Sequence, residues 1–145
     1  MTKLYFSLII LFSIFFLVGC SSSAIISKKI NTDPENLNEI IKKMVIEENH
    51  EIESEDGLNF ITKWRLASKE EDNHSDNTVE VKLEVNIAEE KQDSRLNMKF
   101  MKRSSLYSTD PSNKTYTDIS IIQNDKIYLR WNKKIAEIES EFKKK

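Results

Sequence analysis

The sequence predicts an α+β domain in which an N-terminal helix is followed by an antiparallel sheet of about four strands and by a C-terminal helix packed on one sheet face. Two observations predict this order. Apolar residues recur every three or four positions after Asp33 and again after Asp125, which is the spacing of a helix with one buried side. Between these two regions apolar and polar residues alternate, as in strands with one buried face.

Both predicted helices carry signals at their ends. Asp33 is a favoured N-cap, and Pro34 suits the first helical position because that position needs no hydrogen-bond donor. Asn49 is suited to the left-handed conformation in which helices often end. Asn124 or Asp125 is expected to cap the final helix. The apolar positions are Leu37, Ile40, Ile41, Met44 and Val45 in the first helix, and Trp131, Ile135, Ile138 and Phe142 in the last.

Alternation predicts four strands between the helices. They cover residues 58–66, 79–87, 95–100 and 115–122. In the first strand the even-numbered positions are predicted to face the core, and Trp64 is one of them. The pattern slips at Met101 and Tyr107, which indicates a bulge late in the third strand. Residues 69–77 contain no apolar side chain and are predicted to form an exposed loop.

Composition excludes several classes of function. The chain has 22 Lys and Arg against 24 Asp and Glu, without a basic stretch, whereas nucleic-acid binding needs a basic face. Gly57 is the only glycine after residue 19, which excludes a glycine-rich phosphate loop. Cys20 is the only cysteine, so no disulfide framework is present.

The first twenty residues have the order of a secretory signal. Lys3 supplies a positive charge, residues 4–18 are mostly apolar, and a small residue, Gly19, follows them. A membrane-spanning anchor is the alternative interpretation. A span needs about 20 apolar residues, however, and the serines at positions 21–23 end this run earlier. The segment is therefore predicted to be an export signal.

Leu17-Val18-Gly19-Cys20 resembles the lipobox of bacterial lipoproteins, in which a small residue precedes a cysteine. The resemblance implies that the Cys20 thiol carries a diacylglyceryl group, that the chain is cut before it, and that the new amino group is often acylated. Two or three acyl chains hold a protein on a membrane, since each buried methylene contributes roughly 0.8 kcal/mol. Because serine and not aspartate follows Cys20, the resemblance further implies the outer membrane, if the cell has one.

This interpretation divides the chain into three parts. Residues 1–19 are the signal peptide, residues 20–32 are a lipidated tether, and residues 33–145 are a single envelope domain. The length after the signal is enough for one domain with a core and too short for two.

Two histidines lie among carboxylates, His50 in the first part of the domain and His74 in the predicted loop. Neither has a second His or a Cys at ligand spacing, and neither segment has the Asp, Asn and Gly pattern of a calcium loop. Solvated charge is the preferred interpretation of both, and no metal ligand or cofactor-binding residue is predicted. The neighbouring carboxylates are Glu47, Glu48, Glu51 and Glu53 for His50, and Glu70, Glu71, Asp72 and Asp76 for His74.

No catalytic residue is predicted, so the protein is expected to be non-enzymatic. No serine lies in a strand-turn-helix elbow, and the paired carboxylates lie in polar stretches with nothing apolar to raise their pKa. Two carboxylates together in a cleft would favour a hydrolase instead. The aromatic residues could form a binding surface, since such residues are enriched at interfaces. For Trp64 and Trp131 a position in the core is the preferred interpretation. These aromatic residues are Trp64, Tyr107, Tyr116, Tyr128 and Trp131.

The order of elements, with Asp125 and Tyr128 at the start of the last helix, resembles small envelope lipoproteins of helix-grip or roll type. Such a resemblance does not transfer a function. The anchor, the small domain and the lack of predicted catalytic residues instead favour a membrane-anchored accessory subunit that binds an envelope protein. The alternative is a carrier of a lipid or another small ligand, with a pocket lined by Phe60, Leu83 and Phe100.

Overall fold

The computed structural model describes residues 24–72, 79–106 and 114–143. Within these ranges the chain forms seven strands and two helices. In chain order they are β1 (Ile25–Ile30), α1 (Pro34–Glu47), β2 (Ile52–Asp56), β3 (Asn59–Thr62), β4 (Arg65–Leu66), β5 (Val79–Glu90), β6 (Asp93–Leu106), β7 (Thr115–Ile119) and α2 (Lys126–Lys143).

The long hairpin of β5 and β6 is the centre of an antiparallel sheet. Its strands pair without interruption from Val79 opposite Ser104 to Glu90 opposite Asp93. On the other side of β5 lie β3 and β4, and β2 pairs with β3. On the other side of β6, β1 and β7 pair one after the other along the same edge.

One face of the sheet is apolar and carries both helices. Every second residue of β5 and β6 is buried there, as alternation requires. Each helix has a capped N-terminus: Asp33 accepts a hydrogen bond from the amide of Asn36 over 2.9 Å, and Asp125 accepts one from the amide of Ile127 over 3.1 Å. The helical residues buried in the core are Leu37, Ile41, Val45, Ile127, Trp131, Ile135 and Ile138.

The predicted fold was wrong in its first element and in its number of strands. The first element of the described chain is strand β1 and not a helix, and the sheet has seven strands instead of about four. Residues 25–30, which were predicted to lie in the tether, belong to the core, because Ile26 and Ile30 are buried. Lys28 between them breaks the apolar alternation, and this hides the strand in the sequence.

Two further strand predictions were wrong. Strand β6 continues past Met101 in unbroken register with β5, so it has no bulge there. The predicted strand at residues 58–66 is divided into β3 and β4. Phe60 pairs with Val85 and Arg65 pairs with Val81, so this segment has one residue more than the part of β5 that it pairs with. The extra residue turns the following side chains to the opposite face. Trp64 therefore lies outside the core, partly exposed, whereas Trp131 is fully buried as predicted.

Some predictions fall on residues that the structure does not describe. The signal peptide, Cys20, His74 and Tyr107 lie outside the described ranges. Within those ranges, neither helix has the length and apolar character needed to cross a membrane.

Candidate functional site

A group of polar side chains is buried at one end of the core. We call it the inner polar cluster, and it consists of His50, Thr62, Arg65 and Glu71. His50 follows Asn49, whose left-handed backbone (φ 62°) ends α1 and turns the chain inward. Thr62 closes β3 and Arg65 opens β4, so both reach the cluster from the sheet.

The hydrogen bonds of the inner polar cluster form a chain. Arg65 donates from Nη2 to Nε2 of His50 over 2.7 Å, and its two Nη atoms bind the carboxylate of Glu71 over 2.7 and 2.8 Å. Glu71 also accepts from the amide of Ser68 over 2.9 Å. The Oγ1 atom of Thr62 lies 3.5 Å from Nδ1 of His50 and accepts the amide hydrogen of Leu83 over 2.9 Å.

Burial and charge fix the protonation states in the inner polar cluster. Burial and the nearby Arg65 lower the pKa of His50 from 6.5 to about 4, so the imidazole is neutral at pH 7. Burial alone would raise the pKa of Glu71. The hydrogen bonds from Arg65 and Ser68 outweigh that effect and hold the pKa of Glu71 below its ordinary value.

Ion pairs surround the inner polar cluster and join the helices to the sheet. Glu48 at the end of α1 pairs with Arg130 over 2.9 Å and with Lys134 over 2.7 Å. Burial acts to raise the pKa of Glu48, but these two cations keep it low. Arg130 also contacts Glu70. On the other side of α2, the buried Lys102 pairs with Asp125 over 3.0 Å.

The inner polar cluster has little freedom for chemistry. Nε2 of His50 is held by Arg65, which is always charged and can only donate. Both carboxylate oxygens of Glu71 are held by Arg65. Among the described residues, no group of His, Cys, Asp and Glu has the arrangement of a metal site. The arrangement therefore joins α1, β3, β4 and the turn after β4.

The prediction that His50 and Glu71 belong to solvated, exposed segments was wrong. His50 is 3% exposed and Glu71 is 1% exposed. The sequence carries no local signal for Glu71, because it lies among charged residues that are exposed. Arg65 was assigned to the outer face, and only the extra residue between β3 and β4 brings it inward.

Within the described part of the chain, no helix packs on the opposite face of the sheet, which we call the open face, and this face carries a second group of residues. We call this group the aromatic–arginine stack, and it consists of Trp64, Arg103 and Tyr116. The guanidinium carbon of Arg103 lies 4.1 Å from the ring centroid of Trp64 and 3.7 Å from that of Tyr116. Nε of Arg103 also donates to Glu80 over 2.7 Å. An arginine held between two aromatic rings is a fixed, partly apolar surface.

Three elements place the aromatic–arginine stack on the open face. Arg103 alternates with the buried Lys102, so its side chain points away from the helices. Tyr116 lies on β7 opposite Ser105, which shares this face with Arg103. Trp64 lies in the irregular step between β3 and β4. The period of two assigned Trp64 to the core, so the sequence pattern alone missed the stack.

The proposed pocket for a ligand falls in the packed core. Phe60, Leu83 and Phe100 are buried, and they belong to one core cluster with Trp131. A groove of about 280 Å³ beside the hairpin of β2 and β3 is lined by Phe60 but not by Leu83 or Phe100. Its lining also mixes the polar Glu55, Asp56, Asn59, Glu84 and Asn86 with the apolar Ile61 and Val85. This geometry gives no support to a carrier of apolar ligands.

No protein-family model matches this sequence, and no curated protein sequence matches it either.

Proposed function

We propose that this protein is a lipid-anchored lipoprotein of the cell envelope that binds a protein partner through the open face of its sheet. It acts as a non-enzymatic accessory subunit. The observation that carries the binding role is the aromatic–arginine stack, Trp64, Arg103 and Tyr116, on the face of the sheet that neither described helix covers. The anchor is the predicted lipid on Cys20.

The composition of the stack supports a protein partner. Tryptophan, tyrosine and arginine are the residues that most often dominate the binding energy of protein interfaces. Their side chains here are already ordered against one another, so binding costs less conformational entropy than it would for free side chains. Tyr116 is exposed and Trp64 is partly exposed, so both rings are available to a partner.

The charges of the open face also favour a protein over a polyanion. Lys82 pairs with Glu53 over 2.5 Å, and Arg103 pairs with Glu80 over 2.7 Å. A surface of paired, mixed charges is typical of the rim of a protein interface. Nucleic acid would require unpaired cations in a continuous patch.

A binding role is favoured over catalysis because the buried titratable groups are occupied by one another. His50, the one described side chain that titrates near neutral pH in free form, is neutral and bound to Arg65. A general base must instead be within reach of a substrate proton.

Site-specific photo-crosslinking in cells tests the binding role. A photoreactive amino acid is placed at Tyr116 on the open face and, as the matched control, at Ile46, an exposed residue of α1. We expect one and the same envelope protein to be captured from position 116 and not from position 46. Arg103→Ala, combined with the probe at position 116, should abolish that capture because it removes the centre of the stack.

Two results would contradict the binding role. Equal capture from positions 116 and 46 would show contact without a defined face. Unchanged capture in the Arg103→Ala variant would show that the stack does not contribute to it.

The anchor is tested separately by mass spectrometry of the N-terminal peptide of the purified protein. We expect a peptide that begins at Cys20 and carries the mass of a diacylglyceryl group and, where the amino group is acylated, of a further acyl chain. Cys20→Ala should retain the uncut N-terminus, and its N-terminal peptide should carry no added lipid mass. An unmodified Cys20 within an uncut chain would overturn the anchor.

A further inference from the structure

Strand β1 begins very soon after the predicted lipidation site. Cys20 is separated from the first residue of β1, Ile25, by three serines and Ala24, and Ala24 is already buried. A fully extended chain spans at most about 3.6 Å per residue, so the reach from Cys20 to Ala24 is at most about 14 Å. The tether is therefore too short to hold the domain far from the bilayer.

The point at which the tether enters the fold is fixed by the pairing of β6. Ile25 lies opposite Lys99, and Ile119, the last residue of β7, lies opposite Lys102. Strands β1 and β7 therefore run in the same direction along one edge of β6. The tether enters the fold at the start of β1, next to the end of β7. This edge of the sheet is the part of the domain that lies nearest to Cys20 along the chain.

Exposed apolar side chains lie at this entry point. Ile25 is 48% exposed, and Ile122, three residues after the end of β7, is 58% exposed. A single exposed aliphatic residue is ordinary on a protein surface. Two of them at the point where a short lipid tether enters are suited to the boundary of headgroups and acyl chains.

The charge of β1 suits the same surface. The strand contains Lys28 and Lys29 and no acidic residue. Lys29 shares the face of Ile25, pairs with Asp93 over 2.8 Å and is 50% exposed. Lys28, in contrast, lies on the helix side, where its charge acts on Glu139. Anionic headgroups attract lysines that lie close to the membrane surface.

We propose that the β1 edge, with Ile25 and Ile122 at its surface, rests against the bilayer that holds the lipid on Cys20. This inference rests on the proposed anchor and adds an orientation to it. The domain stands on the membrane by one edge of its sheet. Ile25 lies opposite Lys99 and so on the same face as Arg103, which places the β1 end of the open face nearest to the membrane.

The test measures depth in the membrane with a fluorophore at single introduced cysteines. Lipid occupies the thiol of Cys20, so an introduced cysteine is the only free thiol in the mature protein. Ile25→Cys and Ile122→Cys report on the proposed contact. Leu66→Cys and Ile46→Cys are matched controls, since these residues are 54% and 58% exposed and lie on β4 and α1.

The lipidated variants are reconstituted into vesicles of phosphatidylcholine and phosphatidylglycerol, with and without bromine on the acyl chains. We expect a blue shift and several-fold stronger quenching by brominated lipid at positions 25 and 122 than at positions 66 and 46. Equal, weak quenching at all four positions, in protein that still floats with the vesicles, would overturn the orientation and leave the anchor intact. Protein that does not float would overturn the anchor and the orientation together.

Discussion

Nη2 of Arg65 donates a hydrogen bond to Nε2 of His50 over 2.7 Å inside the protein core. Because a guanidinium group is always charged and has no acceptor, His50 must supply a lone pair at Nε2 and carry its proton on Nδ1. The same guanidinium binds Glu71, so a single cation holds a neutral ring and an anion in place. This relationship makes the stability of the fold sensitive to pH.

We predict that stability falls as the pH decreases from 6.5 to about 4. The pKa of His50 is lowered to about 4 in the folded protein, so the unfolded chain takes up a proton first. The stabilisation is complete above pH 6.5, and its loss by pH 4 amounts to about 3 kcal/mol. Urea unfolding at a series of pH values measures it. His50→Gln should flatten the dependence, and an unchanged slope in that variant would contradict the assignment.

We predict that Glu71→Ala destabilises the protein by about 3 kcal/mol, because it leaves the guanidinium of Arg65, which is only 18% exposed, without its carboxylate. Glu70→Ala is the matched control. Glu70 also pairs with an arginine, but its side chain is 69% exposed, and such a pair contributes at most about 1 kcal/mol. Chemical denaturation of both variants gives the comparison. Equal losses would show that Glu71 is not buried as described.

We predict that Lys91→Gly stabilises the protein by about 1 kcal/mol. Lys91 is the first of two residues in the loop of the β5–β6 hairpin, and its φ of 63° is unfavourable for any residue with a Cβ atom. Gly57, with φ 60° in the β2–β3 turn, is the reverse case. No atom lies within 4 Å of a Cβ placed there, so Gly57→Ala should cost about 1 kcal/mol through backbone strain alone. Thermal unfolding measures both changes in stability, an expected gain for Lys91→Gly and an expected loss for Gly57→Ala.

We predict that the two tryptophans differ in their access to a quencher. Trp131 is fully buried, whereas Trp64 is partly exposed beside Arg103 on the open face. Acrylamide should quench one part of the fluorescence readily and leave the other part almost untouched. Trp64→Phe should remove the accessible part and shift the remaining emission to shorter wavelength. Full quenching of the emission that remains after this change would contradict the burial of Trp131.

The sequence predicts those parts of the fold that depend on local chemistry. Asp33 and Asp125 cap the two helices, and Asn49 ends the first one in a left-handed conformation. These signals depend on the preferences of single residues for particular backbone angles and hydrogen bonds. The buried face of β5 is equally clear, because five apolar residues alternate there without a break.

The parts that could not be predicted depend on contacts between distant residues. Strand β1 has only Ile26 and Ile30 on its buried face, and its partner lies in β6. The inner polar cluster requires Arg65 to face inward, and one extra residue relative to β5 decides this. The position of β1 and the inward side chain of Arg65 both depend on how strands pair with one another, and the sequence of a single strand does not specify this register.

The edge position of β1 also sets an order of events during folding. Ser27 bonds Asn97, which lies 70 residues later in the chain, whereas β5 and β6 pair across a loop of two residues. If the chain is exported with its N-terminus first, β1 has no partner until β6 has followed it, and contacts of long sequence separation form late. We therefore expect pulsed hydrogen exchange to protect β5 and β6 before β1.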